Sequence, residues 1–392
     1  MLVGLDQLVR GSALANELSQ RRVALLAHPA SLDRNLRHIS AILSELGIAP
    51  AIIFGPEHGY GGEAQDMIGV ADARDPSGVP IVSLYGETFD ALTPTDAHLA
   101  DVDVLLVDLA DIGTRFYTFI WTAVLCARKA LQRGIDVVLL DRPNPLDGRT
   151  SEGRLQQQRF LSFVGLHPIP VRHGLTIGEI VTLFTTDLGG RLQIIPVKGW
   201  ERARTATGWD RPFVLTSPNM PTLETALVYP GGCLLEGTNL SEGRGTTRPF
   251  EFAGAPFIDG KALAKDLTAL GLPGFNPRAV TFLPTFQKHE RTLCGGVQIH
   301  VTDARTFRPY ATYVALVALA KRQAPTAFAW RTEKYEFVDD IPAFDLLTGS
   351  AEVRVAIAEE RDIQEILHGA CAVDASWPEA AERAQALARA RY

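Results

Sequence analysis

The chain has 392 residues, of which 46% are hydrophobic and 21% charged, and its formal net charge is -7. That length exceeds one small core and makes two domains the natural expectation, while the composition is that of a globular enzyme and excludes a disordered chain. No Lys/Arg-rich run is present, which argues against a nucleic-acid footprint or a basic membrane face.

Taken in order, Met1 is followed by Gly4-Leu5-Asp6 without the basic-then-apolar lead of an export signal. No apolar stretch reaches the roughly 18 residues needed to span a bilayer. The chain therefore reads as cytoplasmic, although a leader trimmed and replaced by a start methionine would read the same. Short apolar runs then alternate with helical patterns, the rhythm of a parallel sheet flanked by helices. Val23 to Ala27 is the first strand; Asp33 to Leu46 reads as a helix stopped by Gly47. Ala51 to Phe54 and Ile81 to Tyr85 are further strands, and Val102 to Leu109 is a continuous buried one. A helix from about Phe119 to Arg133 leads to the strand Val137 to Leu140. From Thr216 to Pro256 the chain is rich in Gly, Thr, Asn and Pro and reads as irregular. Beyond it come a helix (Gly260 to Leu270), a β-rich stretch (Thr281 to Phe286, Val297 to Val301), a helix (Tyr310 to Arg322) and a last helix (Trp377 to Arg391). The expected architecture is α/β: a parallel-sheet domain over residues 1–255, then a smaller α+β domain over residues 256–392.

The ends of the strands carry the chemistry. They read His28-Pro29-Ala30-Ser31, Gly55-Pro56-Glu57-His58-Gly59, Tyr85-Gly86-Glu87, Asp108 to Tyr117, and Asp141-Arg142-Pro143-Asn144-Pro145. Ligands of open α/β sheets bind outside the carboxyl ends of the strands. Five polar ends on one edge point to a site more than to caps and surface groups. Glu57 stands out, because it follows a proline and leaves a buried strand between two glycines, which stiffens its backbone. A carboxyl held in a partly dry cleft suits general acid catalysis; the plainer reading is a helix cap. His58 beside it fits a base, a ligand or a hydrogen-bond spacer. A second cluster, Glu236 to Thr246, packs two acids, an arginine and several hydroxyls and amides between glycines, as a loop facing a polyhydroxylated ligand would.

Absent motifs narrow the field. GxGxxG, a Walker loop, GxSxG and HExxH are all missing. The cysteines at 126, 233, 294 and 371 are scattered, without zinc-like spacing. A metal site assembled from His28, His58, Asp108, Asp111 or His173 stays open at this point, as does a non-catalytic sugar-binding role.

Six ordered stretches carry a resemblance: Phe54 to Gly59, Ser83 to Gly86, Asp111 to Thr118, Leu140 to Pro145, Pro170 to Thr176, and Leu235 to Thr246. Together they resemble the exo-β-N-acetylmuramidases of the NamZ type, in order through nearly the whole chain and weakening after Pro256. The resemblance implies a Rossmann-like catalytic domain with a smaller auxiliary domain and a cleft between them. It implies release of N-acetylmuramic acid from the non-reducing end of peptidoglycan fragments, without an organic cofactor. Glu57 matches the family's presumed catalytic glutamate.

The residue chemistry agrees, since glycoside hydrolysis needs a protonated carboxyl and a second group for water or nucleophilic attack. Glu236 and Glu242 are the first candidates for that second group, with Glu63 and Asp108 also eligible, and the substrate's own acetamide could replace it. The residues expected to contact the sugar are His58, Glu63, Asp108, Asp111, Arg115, Tyr117, Asp141, Arg142, Asn144, His173, Asn239, Ser241, Arg244 and Thr246. The lactyl carboxylate that marks muramic acid calls for an arginine, with Arg244 and Arg115 preferred. Arg142, beside Asp141, suits a structural ion pair instead.

Overall fold

In the computed structural model, which describes residues 1–65, 68–69 and 71–392, the first sheet has seven strands. They are Val23–Ala27 (β1), Pro50–Gly55 (β2), Ala73–Arg74 (β3), Pro80–Ser83 (β4), Val104–Asp108 (β5), Asp136–Leu140 (β6) and Leu192–Ile195 (β7). Their order is β3-β4-β2-β1-β5-β6-β7, parallel throughout except for the β3–β4 pair. β1 and β5 are buried at every position because both faces are covered, which is why their sequences lack alternation. Successive side chains go to opposite cores. Ala24, Leu26, Leu105 and Val107 join Phe54 and Trp121 on one face, while Val23, Leu25, Val104 and Leu106 meet Ile39, Ile42 and Leu43 on the other. The chain builds outward from β1 to β2 and then crosses to β5, so the carboxyl ends of these strands border the crevice where such sheets bind ligands.

The second sheet is antiparallel, with Phe252–Ala255 (β8), Phe275–Phe282 (β9) and Cys294–Val301 (β10) in the order β8-β10-β9. Helices Gly260–Ala269 and Pro309–Gln323 lie against each other, and the first packs on this sheet. The architecture is thus the expected α/β one, a mostly parallel sheet followed by a smaller unit. Among the described residues no helix is long and apolar enough to cross a membrane.

Several elements differ from expectation. The helix expected from Asp33 covers only Ile39–Glu45. The Asp33 carboxylate accepts from the Asn35 and Arg37 amides instead, a local turn that competes with the helix. The region expected to be irregular contains the helix Leu223–Gly232, with Pro230 inside it. Its last glycines hide the helical period but allow close packing: a Cβ on Gly231 would lie 2.1 Å from the Pro309 carbonyl oxygen. Helices Ile177–Leu183, Ala343–Thr348, Glu352–Ala358 and Ile363–Cys371 are too short to show a clear period.

Candidate active site

Glu57 leaves β2 on a tight turn. A Cβ on Gly55 would lie 2.4 Å from the Tyr60 backbone nitrogen, and His58 and Gly59 both take positive φ, 69° and 81°. A non-glycine residue there is costly and persists only where the surroundings over-determine it. The turn delivers Glu57, 7% exposed, to the N-terminal end of the helix Phe119–Gln132. There Thr118 Oγ1 lies 2.6 Å from Glu57 Oε2, just before the helix Phe119–Gln132. A hydroxyl can donate to a carboxylate or accept from a carboxylic acid, so this contact is compatible with either form of the carboxyl. His58 Nδ1 lies 2.8 Å from the Ala64 carbonyl oxygen. A carbonyl only accepts, so Nδ1 carries a proton.

Glu57 lines a small cavity. It brings together five of the expected residues: Glu57, His58, Tyr117, Glu236 and Arg244. Aromatic rings wall it, with Tyr117 and Tyr229 edge-on at 5.7 Å and Tyr229 and Phe250 at 4.7 Å. Burial pushes the Tyr117 and Tyr229 phenols up, so both remain hydroxyls at neutral pH. Tyr117 donates to Thr216 Oγ1 at 2.5 Å.

The glycine-rich loop supplies the cation. Arg244 lies 2.7 Å from Glu236 Oε1 and, through Nε, 3.3 Å from Glu242 Oε1, with its guanidinium 5.1 Å above the Phe250 ring. Glu236 also accepts from the Tyr335 hydroxyl at 2.7 Å. Glu242 takes Lys288 Nζ at 2.9 Å. Burial alone would push its carboxyl up, but Lys288 and then Arg244 outweigh that and hold it below the usual range. Glu242 therefore braces Arg244 as an anion and, unlike Glu57 and Glu236, is not among the residues lining the cavity. Glu236 lines the cavity while bracing Arg244. Gly243 and Gly245 take φ of 77° and 75°, and Ser241 pairs with Gly254 of β8 in both directions, at 2.7 and 3.1 Å.

The other expected contacts lie elsewhere, because buried loops need their polar groups for their own backbone. Asp108 and Arg142 form a two-pronged buried ion pair at 2.5 and 2.8 Å, and Arg142 also donates to the Leu32 carbonyl. Asp141 accepts from Thr176 Oγ1 and the Gly178 and Arg142 amides, which fixes the start of Ile177–Leu183; burial pushes it up to about 7. Asn144 bridges Leu175 and Leu146. Asp111 accepts from the Gly113 amide and lies 3.3 Å from His173 Nε2, while His173 Nδ1 accepts from the Leu175 amide.

Arg115 is fully buried and donates to the carbonyls of Ile169, at 3.1 Å, and Leu347. That position rules it out as the cation of this cavity. Asn239 holds Ala327 and Ala329, and Ser241 and Thr246 bond to Gly243 of their own loop. Glu63 is exposed beside Gly61. Asp111 and Arg142 border a separate cavity, with Ala30, Leu32 and Trp209. Among the described residues no three His, Cys, Asp or Glu side chains gather as a metal site would require. The sequence reading missed Asn219, Tyr335 and Glu336, which line the Glu57 cavity and belong to none of the six motifs.

Comparison with known proteins shows the family. Residues 23–224 match the profile of the N-terminal part of exo-β-N-acetylmuramidase NamZ, and residues 227–384 match that of its C-terminal part. Peptidoglycan β-N-acetylmuramidase NamZ of Bacillus subtilis (strain 168) is 41% identical over 357 residues, covering 90% of this chain and 83% of that protein. Two crystal structures of DUF1343 family proteins from Bacteroides fragilis superpose with TM-scores of 0.84 and 0.70. Each is 26% identical, covering 100% of this chain and 98% of its own. With both halves matched and this identity to a full-length relative, the chain belongs to the NamZ family of exo-β-N-acetylmuramidases.

Proposed function

We propose that this chain is an exo-β-N-acetylmuramidase that releases N-acetylmuramic acid from the non-reducing ends of peptidoglycan-derived fragments, as in the recycling of cell-wall material. The observation that carries the reading is a buried carboxyl, Glu57, held on a strained turn in a cavity that also presents an arginine and aromatic walls. Glu57 supplies the proton to the departing glycosidic oxygen. The rings of Tyr117, Tyr229 and Phe250 give the apolar faces against which a pyranose packs. Arg244 is, among the described residues, the one arginine or lysine lining the cavity. We assign it the lactyl carboxylate that distinguishes muramic acid from glucosamine.

The test is product analysis on short glycan chains that begin with N-acetylmuramic acid at the non-reducing end. Free N-acetylmuramic acid should appear from that end alone, and exhaustive chelation should leave the rate unchanged. Internal cleavage products would contradict the exo reading, and loss of activity on chelation would point to a metal-dependent hydrolase.

A further inference from the structure

We propose that Glu336 is the second catalytic carboxylate, the anion that works with Glu57 on the anomeric carbon; the inference rests on the glycosidase reading above. An oxocarbenium-like transition state needs negative charge near C1 as well as a proton for the leaving oxygen. The acids that the sequence singled out are placed for other work. Glu236 and Glu242 brace Arg244, Asp108 holds Arg142, and Glu63 lies outside the cavity.

Glu336 is 5% exposed and lines the same cavity as Glu57, although 279 residues separate the two in sequence (336 − 57). Its Oε2 accepts from the Tyr85 hydroxyl at 3.0 Å, and Tyr85 follows β4 at the carboxyl edge of the first sheet. A phenol donor at this distance favours the carboxylate form of its partner.

The backbone supports a functional origin. Glu336 and Phe337 have φ of 45° and 71°, two consecutive non-glycine residues in the left-handed region. Such conformations cluster where a site requires a side chain in a set place. The turn is held shut from both ends, as Tyr335 and Val338 exchange backbone hydrogen bonds at 2.8 and 3.0 Å. Phe337 packs against Tyr85 and Phe163 at 5.7 and 6.1 Å. Neighbouring side chains then reach two partners: Tyr335 touches Glu236 and Glu336 touches Tyr85.

In the reaction the C1–O bond breaks with its electron pair staying on the leaving oxygen, which takes the Glu57 proton. Glu336 balances the positive charge at C1. Water then forms the new C1–O bond and gives up one proton to the carboxylate pair, which ends the cycle as it began.

The experiment uses the full chain with two muramides, a nitrophenyl glycoside and a disaccharide with a poor leaving group. Turnover of either by the wild type establishes the glycosidase; no turnover overturns that reading itself. Glu57→Gln should lose far more on the disaccharide than on the nitrophenyl glycoside, because an activated leaving group needs little protonation. Glu336→Gln should lose about 10³-fold on both, within the range for a catalytic proton-transfer or charge-stabilising group. Azide or formate should restore turnover to a folded Glu336→Ala. A folded Glu336→Gln that keeps more than about a tenth of the nitrophenyl rate overturns the proposal, as does a folded Glu336→Ala that neither anion rescues. If the Glu336 variants do not fold, Tyr85→Phe decides. Losing the phenol donor should move the acidic limb of the kcat/KM profile to higher pH, and an unmoved limb overturns the proposal.

Discussion

Replacing Arg244 with alanine perturbs the proposed recognition of muramic acid at its centre. In the free protein the change leaves Glu236 with Tyr335 and Glu242 with Lys288, both acids being almost wholly buried. Removing one partner of a buried pair typically costs about 3–5 kcal/mol; Lys288 and Tyr335 remain, so the lower end applies. With substrate bound, the lactyl carboxylate is left in the same dry pocket without its cation, at a cost of roughly 3 kcal/mol in transition-state binding. At about 1.4 kcal/mol per factor of ten, kcat/KM on a muramide should fall by about 100-fold. The matching glucosaminide carries no carboxylate and should fall only a few-fold, on the order of 1 kcal/mol or less. The assay is kcat/KM on paired nitrophenyl muramide and glucosaminide. Because the two are read on one sample, any loss of folded protein cancels in their ratio. Arg244→Lys should recover part of the preference, since it restores charge without the planar fork. An unchanged muramide preference in Arg244→Ala would show that the lactyl group is recognised elsewhere.

Arg115→Met should lower the melting temperature, because it strips the Ile169 and Leu347 carbonyls of their donor, at about 1–3 kcal/mol for each group left unmet. Its muramide preference should stay at the wild-type value, and a changed preference would place Arg115 at the substrate after all. Asp141 is pushed up to about 7 by burial, so between about pH 4 and pH 7 the folded state holds a proton that the unfolded state has released. Its contribution to stability should therefore fall as pH rises through that window. Asp141→Asn should flatten this slope in unfolding experiments at several pH values, and an identical slope would contradict the assignment. Gly55→Ala forces a Cβ against the Tyr60 backbone and displaces the Glu57 turn. Activity should fall by about 10²-fold, the usual cost of a misplaced catalytic group, and a near-normal rate would show that the turn tolerates movement.

The first half of the fold was legible because parallel strands covered on both faces are continuous apolar runs, and β1 and β5 are such runs. Glu57, His58, Tyr117, Glu236 and Arg244, which line one cavity, were legible as candidates because their motifs sit at strand ends or between glycines. The same signal picked out Asp108, Asp141, Arg142 and Asn144, which do not line that cavity. A strand end that is itself buried needs polar side chains for its own loops, and the sequence does not distinguish that need from ligand binding. Arg115 shows the point most clearly, since a motif arginine proves to serve two backbone carbonyls. Glu336 was illegible for a different reason. Its neighbours Tyr335, Phe337 and Val338 form a turn between the helices Pro309–Gln323 and Ala343–Thr348, and only the tertiary fold brings that turn to the edge of the first sheet through Tyr85.

The most direct test of the central claim is the rate of N-acetylmuramic acid release by Glu57→Gln from a muramyl disaccharide, followed by mass spectrometry, beside N-acetylmuramic acid binding by calorimetry. The amide keeps the shape of the carboxyl but cannot deliver a proton. The rate should fall by about 10² to 10⁴-fold while binding of the sugar stays close to the wild-type value. A Glu57→Gln variant that keeps more than about a tenth of the wild-type rate on this substrate would contradict proton donation by Glu57, and with it the mechanism built on that residue.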